Sequence, residues 1–219
     1  MGALVPPLFF MEKRVKFSKI SGIVLGGGES RRMGRDKRRL QWEGEPFLDR
    51  VSRVMDTLFE EVLVVTAQED YDCSHLPVRL VTDKIPQKGS LGGLYTGLSE
   101  AKNSLVFVVA CDMPFLQREC ISRFCLFSGT VDVLVVKLSS GIQPLHARYS
   151  KRCVPIIEQM IQKEDLKIQN LVTHSDLAVE IMRESLFDDI DPYRRSFMNI
   201  NTPADLEFAR KTSSHPSLP

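Results

Sequence analysis

The chain has 219 residues, 43% of them hydrophobic and 26% charged, the composition of a folded globular protein with one substantial core rather than of a disordered or fibrous chain. Lys and Arg number 29 against 28 Asp and Glu, a formal charge of +1, which argues against a dedicated nucleic-acid binder. The odd set of cysteines (Cys73, Cys111, Cys120, Cys125, Cys153), with no CxxC pair, indicates neither a disulfide framework nor a zinc ribbon and fits a reduced, cytoplasmic compartment.

The opening stretch MGALVPPLFF is a short apolar run broken by Pro6 and Pro7, with no basic region ahead of it, so neither a signal peptide nor a membrane span is expected there. Pro6 also breaks the myristoylation pattern. Met11 opens a more natural amino terminus, so residues 1–10 have the character of a floppy extension or an upstream start. The expected organisation is a flexible extension at 1–16, one domain over 17–212 and a flexible tail at 213–219.

In chain order, the first apolar run, Ile20–Leu25, predicts a strand buried on both faces. Behind Pro46, the apolar residues Phe47, Leu48, Val51, Val54, Met55 and Leu58 recur at helical steps. Strands follow at Val62–Thr66 and Val78–Val81, a helix at 92–102, a strand at Leu105–Ala110, a helix at 118–127 and a strand at Val131–Lys137. Beyond residue 140 the pattern loosens into a turn-entered strand at 141–149, a helix near 151–162 and a return strand at 177–182. Thr202, Pro203 and Asp205 then spell a helix start: cap, first-position proline, and an acid at the positive dipole end. The alternation predicts an α/β protein: one doubly wound, mostly parallel, Rossmann-like sheet flanked by helices.

Two strand ends carry unusual chemistry. The first strand runs into Gly26, Gly27 and Gly28, and six of the nine residues from Arg31 to Arg39 are Arg or Lys. Bare backbone amides can approach a phosphate and cations can then hold it. Nucleic acid is the other anion to consider, and the near-neutral total charge and lack of interleaved aromatics weigh against it. Arg31, Arg35, Arg38 and Arg39 are expected to be solvated or steering charges. The second end is VVACDMP, where Asp112 closes an unbroken apolar strand. A carboxylate there suits Mg²⁺, which takes one or two protein carboxylates and completes its shell with water and substrate phosphates. A P-loop is excluded because Arg35 follows Gly34, and a dinucleotide fingerprint fails because Arg31 stands where glycine or alanine is needed.

LGGGESRRMGRDK (25–37) resembles the signature of the nucleotidyltransferases that act on molybdopterin, with Leu25, Gly27, Gly28, Ser30, Arg32, Met33, Gly34 and Lys37 in register. TDKIPQKGSLGGL (82–94), ACDMPFL (110–116), QPLHARY (143–149) and NINTPADL (199–206) are similar to that family's later motifs in the same order. Gly27 resembles the guanylyltransferase branch, the alternative being a cytidylyltransferase of the same cofactor or another small-metabolite nucleotidyltransferase. Gly26 in place of alanine and Ser90 in place of proline depart from the pattern, and a nucleotide-contacting Asn of the second strand corresponds only loosely to Thr66 or Gln68.

The resemblance implies a nucleotidyltransferase fold and transfer of GMP from GTP to the terminal phosphate of molybdopterin or molybdenum cofactor, with Mg²⁺ as cofactor. It implies further partners among cofactor-biosynthesis and molybdoenzyme-maturation proteins, and no nucleic acid or membrane. It places the base and sugar against Leu25, Gly26 and Gly27, the phosphates at Gly28, and a nucleotide contact at Asp83. Arg32 and Lys37 then neutralise the triphosphate, Asp112 holds the metal, and Asn199 and Asn201 shape the pterin side of the cleft. Each residue has a plainer reading. Asp112 could cap a helix, Asp83 could be a turn residue, and Cys111 could be a small buried hydrophobe. His146 reads as structural rather than catalytic, and Asp188, Asp189 and Asp191 read as a solvated loop. A noncatalytic module would have lost Asp112 or Lys37, and both are present.

Overall fold

The apolar runs form inner strands because helices cover both of their faces. The computed structural model describes residues 16–26, 40–67, 71–202 and 204–208. Among them the chain runs through β1 (Ile20–Leu25), a hairpin of β2 (Gln41–Trp42) and β3 (Glu45–Pro46), α1 (Phe47–Asp56), β4 (Val62–Thr66), β5 (Arg79–Thr82) and α2 (Gly89–Glu100). It continues through β6 (Leu105–Ala110), α3 (Arg118–Cys125), β7 (Val133–Leu138), β8 (Gly141–Ser150), α4 (Val154–Gln162), β9 (Val179–Arg183) and a short helix at 204–208.

The main sheet has seven strands in the order β5-β4-β1-β6-β8-β7-β9. The run β5, β4, β1, β6 is parallel throughout, β8 is antiparallel to both its neighbours, and β9 is parallel to β7. From β1 the chain moves outward to β4 and β5 and then returns to β6 on the other side of β1. The switch point of the doubly wound half therefore lies between β1 and β6, where open α/β sheets hold their ligands.

One face of the sheet packs Met55, Phe59, Phe107 and Phe124 beneath α1 and α3, and the other packs Ile23, Leu94, Leu98, Tyr149 and Ile157 beneath α2 and α4. Helix α2 lies close to β1 because Gly97 faces it: a Cβ there would sit 2.8 Å from Ile23 Cδ1. Trp42, Phe47, Phe115 and Ile200 form a third cluster, with Trp42 and Phe115 edge to face at 4.8 Å. It seats the turn after β6 against the β2–β3 hairpin and the segment near residue 200.

Strands β1, β4 and β6 occupy the spans their apolar runs predict. Strand β5 lies one residue later than Val78–Val81, and α2 begins three residues ahead of 92, because Gln87 (φ 69°) and Gly89 (φ 60°) turn the chain into the helix earlier. Lys16 at the start of the described chain pairs with Asp56 at 2.8 Å. No helix among the described residues is long and apolar enough to cross a membrane.

Candidate active site

The parallel register puts Leu25 opposite both Val65 and Ala110, and Thr66 opposite Thr82. Gly26, Asp83 and Asp112 therefore leave the sheet along one edge. Backbone bonds extend that edge past the strands: Gly26 N–H donates to Val65 O (2.8 Å), Cys111 N–H to Leu25 O (3.0 Å) and Asp83 N–H to Thr66 O (2.7 Å).

Leu25 is 4% exposed, its side chain lying beneath Gly93, whose Cβ would be 3.3 Å from Leu25 Cδ2. Thr66 is fully buried, and its Cγ2 would stand 3.1 Å from a Cβ on Gly26. An alanine at position 26 would press on that methyl, which would have to give by a few tenths of an ångström. Gly27, Gly28, Arg32, Lys37 and Gln68 lie outside the described residues.

Asp112 is 8% exposed and sits one residue past Cys111, itself a buried small hydrophobe. Its backbone carbonyl accepts from Ile200 N–H at 2.8 Å, and its Oδ1 accepts from Asn199 Nδ2 at 2.6 Å. Two segments 87 residues apart are thereby clamped together at the switch point. Arg50 Nε donates to Pro114 O at 2.8 Å and ties the same turn to α1.

Asp83 is half-buried and differently engaged. Its Oδ1 accepts from Thr96 Oγ1 (2.7 Å) and from Ile85 N–H (3.1 Å), the second an Asx turn, while Thr96 Oγ1 also accepts from Lys84 N–H (3.0 Å). These bonds fasten the loop ahead of α2 to the helix itself. The loop presses so closely that a Cβ on Gly92 would lie 2.7 Å from Ile85 O.

The segment that delivers Asn199 is pinned at several points. Asp191, 1% exposed, accepts from Ser196 N–H (2.7 Å) and Arg195 N–H (3.0 Å), and Ser196 Oγ accepts from Gln117 N–H (3.0 Å). This corrects the solvated-loop reading of the acidic trio: Asp188 and Asp189 are exposed, pairing with Arg194 and Arg123, whereas backbone donors hold Asp191 inside. His146 Nδ1 lies 3.2 Å from Ser196 O, and the ring packs among Phe107, Phe124 and Phe197, its centroid 4.5 Å from that of Phe197. Burial lowers its pKa to about 3, so it is a neutral wall residue. Asn201 stands exposed at the start of the final helix, where its N–H and that of Thr202 donate to Asp205 Oδ2 (both 2.8 Å) while Asp205 N–H returns a bond to Thr202 Oγ1 (3.1 Å). The structure therefore joins Asp112 with Asn199, and sets Asp83 and Asn201 in caps and turns.

Among the described residues no group of three His, Cys, Asp or Glu could cage a metal. The Asp112 carboxylate is a hard-oxygen donor, and the Asn199 amide orients it with an N–H while its own oxygen accepts from Gln143. Such a carboxylate fits a cation such as Mg²⁺ that takes one protein carboxylate and draws its other ligands from phosphates and water. One member of the site has no role in the sequence reading: Gln143, whose Nε2 donates to Phe197 O (2.8 Å) and to Asn199 Oδ1 (3.1 Å). Its only signal was its place at the head of QPLHARY.

A carboxylate at the switch point of a doubly wound sheet, facing the end of a strand that runs into glycines, is the framework of an enzyme that handles nucleotides. A family model described as the MobA-like NTP transferase domain matches residues 22–178, and the chain belongs to that family and is a nucleotidyltransferase. It is 34% identical, over 88% of this chain and 95% of the other, to a protein of Natranaerobius thermophilus named "Probable molybdenum cofactor guanylyltransferase". It is 33% identical to the molybdenum cofactor guanylyltransferase of Desulfosudis oleivorans, over 87% of this chain and 94% of the other. Among solved structures, molybdopterin-guanine dinucleotide biosynthesis protein A of Archaeoglobus fulgidus superposes with a TM-score of 0.76 at 26% identity, over 89% of this chain and 99% of that one.

Proposed function

We propose that this protein transfers GMP from GTP to the terminal phosphate of molybdopterin or of molybdenum cofactor, giving the guanine dinucleotide and pyrophosphate. The observation that carries the reading is the Asp112–Asn199 clamp at the β1/β6 switch point, in a chain whose relatives bear guanylyltransferase names. In the reaction a phosphate oxygen of the acceptor attacks the α-phosphorus of GTP. A new P–O bond forms there, the bond to the bridging β-phosphate oxygen breaks, and pyrophosphate leaves with its electron pair. The attacking monoester is already largely ionised near pH 7, so no general base is required. This agrees with the full burial of the His146 ring, which turns no nitrogen to the surface of the cleft.

Little covalent work falls to the protein, and catalysis rests on positioning and charge. Asp112 would hold Mg²⁺, whose charge offsets that of the reacting phosphates. Arg32 and Lys37 would neutralise the triphosphate and the departing pyrophosphate, one as a planar fork and the other as a point charge. Gly26, Gly27 and Gly28 would leave the backbone open to the nucleotide, with Asp83 shaping the loop beside it. The five free, buried cysteines suit the cytoplasm.

The test is kcat/KM for GTP, CTP, ATP and UTP with molybdopterin as acceptor and Mg²⁺ present. The expected result favours GTP over CTP at least tenfold, because a mismatched base leaves buried polar groups unpaired at about 1–3 kcal/mol each. A ratio near one, or a preference for CTP, would overturn the choice of nucleotide.

A further inference from the structure

Gln143 sits where β8 changes partners. In the ladder with β7, Leu134 faces Arg148 but Val136 faces Gln143, so residues 144–147 have only Val135 opposite them. In the ladder with β6, pairing reaches only as far as Val109 opposite His146. The strand thus bulges just beside the end of β6 that leads to Asp112. Bulges re-aim side chains next to active sites, and Pro144, which has no N–H to give a ladder, suits the break. Tyr149 Oη fixes it by donating to Pro144 O at 2.7 Å.

Two main-chain groups then dictate which way the Gln143 amide points. Leu145 N–H can only donate, and it donates to Gln143 Oε1 at 3.2 Å. Phe197 O can only accept, and it accepts from Gln143 Nε2 at 2.8 Å. With the amide so oriented, Nε2 also donates to Asn199 Oδ1, which leaves Asn199 Nδ2 to donate to Asp112 Oδ1. Backbone polarity at a strand bulge is relayed through two amides to the carboxylate.

Resting on the reading of Asp112 given above, we infer that Gln143 is a positioning residue for nucleotidyl transfer, which turns the Asn199 amide donor-first toward Asp112 and so fixes the carboxylate's orientation. It acts through Asn199.

The decisive pair of variants separates acceptor from donor: Gln143→Glu keeps the size, and Gln143→Lys is one atom longer, carries a charge and gives up the acceptor for Leu145 N–H. Gln143→Glu offers only acceptors and should turn the Asn199 amide around. Gln143→Lys retains donors toward Phe197 O and Asn199 Oδ1. In Gln143→Glu the expected result is a kcat lowered about tenfold or more with KM for GTP nearly unchanged, the pattern of an interaction used in the transition state. Gln143→Lys should recover most of that loss. The side-chain amide resonances of Asn199, recorded by ¹⁵N NMR without nucleotide or metal, should move in Gln143→Glu and stay near wild type in Gln143→Lys. A Gln143→Glu enzyme within twofold of wild-type kcat, or unmoved Asn199 resonances, would overturn the inference. If Gln143→Glu does not fold, Gln143→Ala replaces it under the same criteria. A wild type inert toward molybdopterin would remove the functional reading, while the Asn199 resonances would still decide the positioning role.

Discussion

Asp83 and Asp112 follow parallel strands at the same edge of one sheet, yet they are built for different work. Asp83 is ringed by local neutral donors: a threonine hydroxyl thirteen residues on and a backbone N–H two residues on. Asp112 is reached from 87 residues away by an amide whose own direction is fixed by further partners. The contrast teaches that a strand-end carboxylate is not assigned by its position alone. On the proposed function, the carboxylate bonded to its own loop braces that loop, and the one oriented by a segment 87 residues away is the one assigned to the ligand.

The largest expected effect is at Asp112. Asp112→Ala should lower kcat at least about a thousandfold, since it removes charge neutralisation at the reacting phosphates, and Asp112→Asn should do nearly as much damage. Both variants should keep a cooperative melt. Wild-type turnover in Asp112→Asn at limiting Mg²⁺ would erase the contrast between the two aspartates.

Asp83 should show the reverse pattern. Asp83→Ala strands Thr96 Oγ1 and Ile85 N–H, and unmade bonds of this kind cost about 1–3 kcal/mol each, so its melting temperature should fall by several degrees. Activity measured well below that temperature should drop less than tenfold. Thr96→Val should reproduce most of the stability loss, and a thousandfold activity loss in Asp83→Ala with an unchanged melt would place Asp83 on the chemistry instead.

A smaller effect separates the wall of the site from its floor. His146 is neutral in the fold, with its pKa lowered to about 3 by burial, and titrates near 6.5 once unfolded. Below about pH 6.5 the unfolded chain therefore binds a proton that the folded chain does not. The stability that His146 permits is complete above that pH and falls on acidification toward pH 3, by at most about 1.4 kcal/mol per pH unit. Denaturant titrations at pH 7, 6, 5 and 4 should show a flatter pH dependence in His146→Phe than in wild type. Equal slopes would mean that the buried ring does not contribute.

The smallest expected effect is the packing of Gly26 against Thr66. Gly26→Ala should cost about 1 kcal/mol, and Thr66→Ser, by deleting the crowding methyl, should relieve most of it. A double-mutant cycle with no coupling would show that the Thr66 methyl is not what opposes an alanine at position 26.

The edge was more legible in the sequence than its inner bracing. Strands β1, β4 and β6 stand out because burial on both faces writes continuous apolar runs, and Asp112 stands out because a charge ends one of them. The reversal of β8 was not legible: Leu145 to Tyr149 would serve either direction, and only pairing with β6 and β7 decides it. Asp191 reads as part of an acidic loop because its compensation comes from backbone N–H groups, which every residue has. Gln143 carries no signal of its own, since its partners Phe197 and Asn199 are 54 and 56 residues away.

The central claim is that the Asp112 edge passes GMP to a phosphate of the pterin. GTP labelled in its α-phosphate, incubated with molybdopterin, Mg²⁺ and either wild type or Asp112→Ala, tests it most directly. The account predicts that in wild type the label moves into a dinucleotide with one pyrophosphate released per label transferred, and that it stays in GTP with Asp112→Ala. Label that remains in GTP with wild type, or that moves equally well with Asp112→Ala, would contradict it.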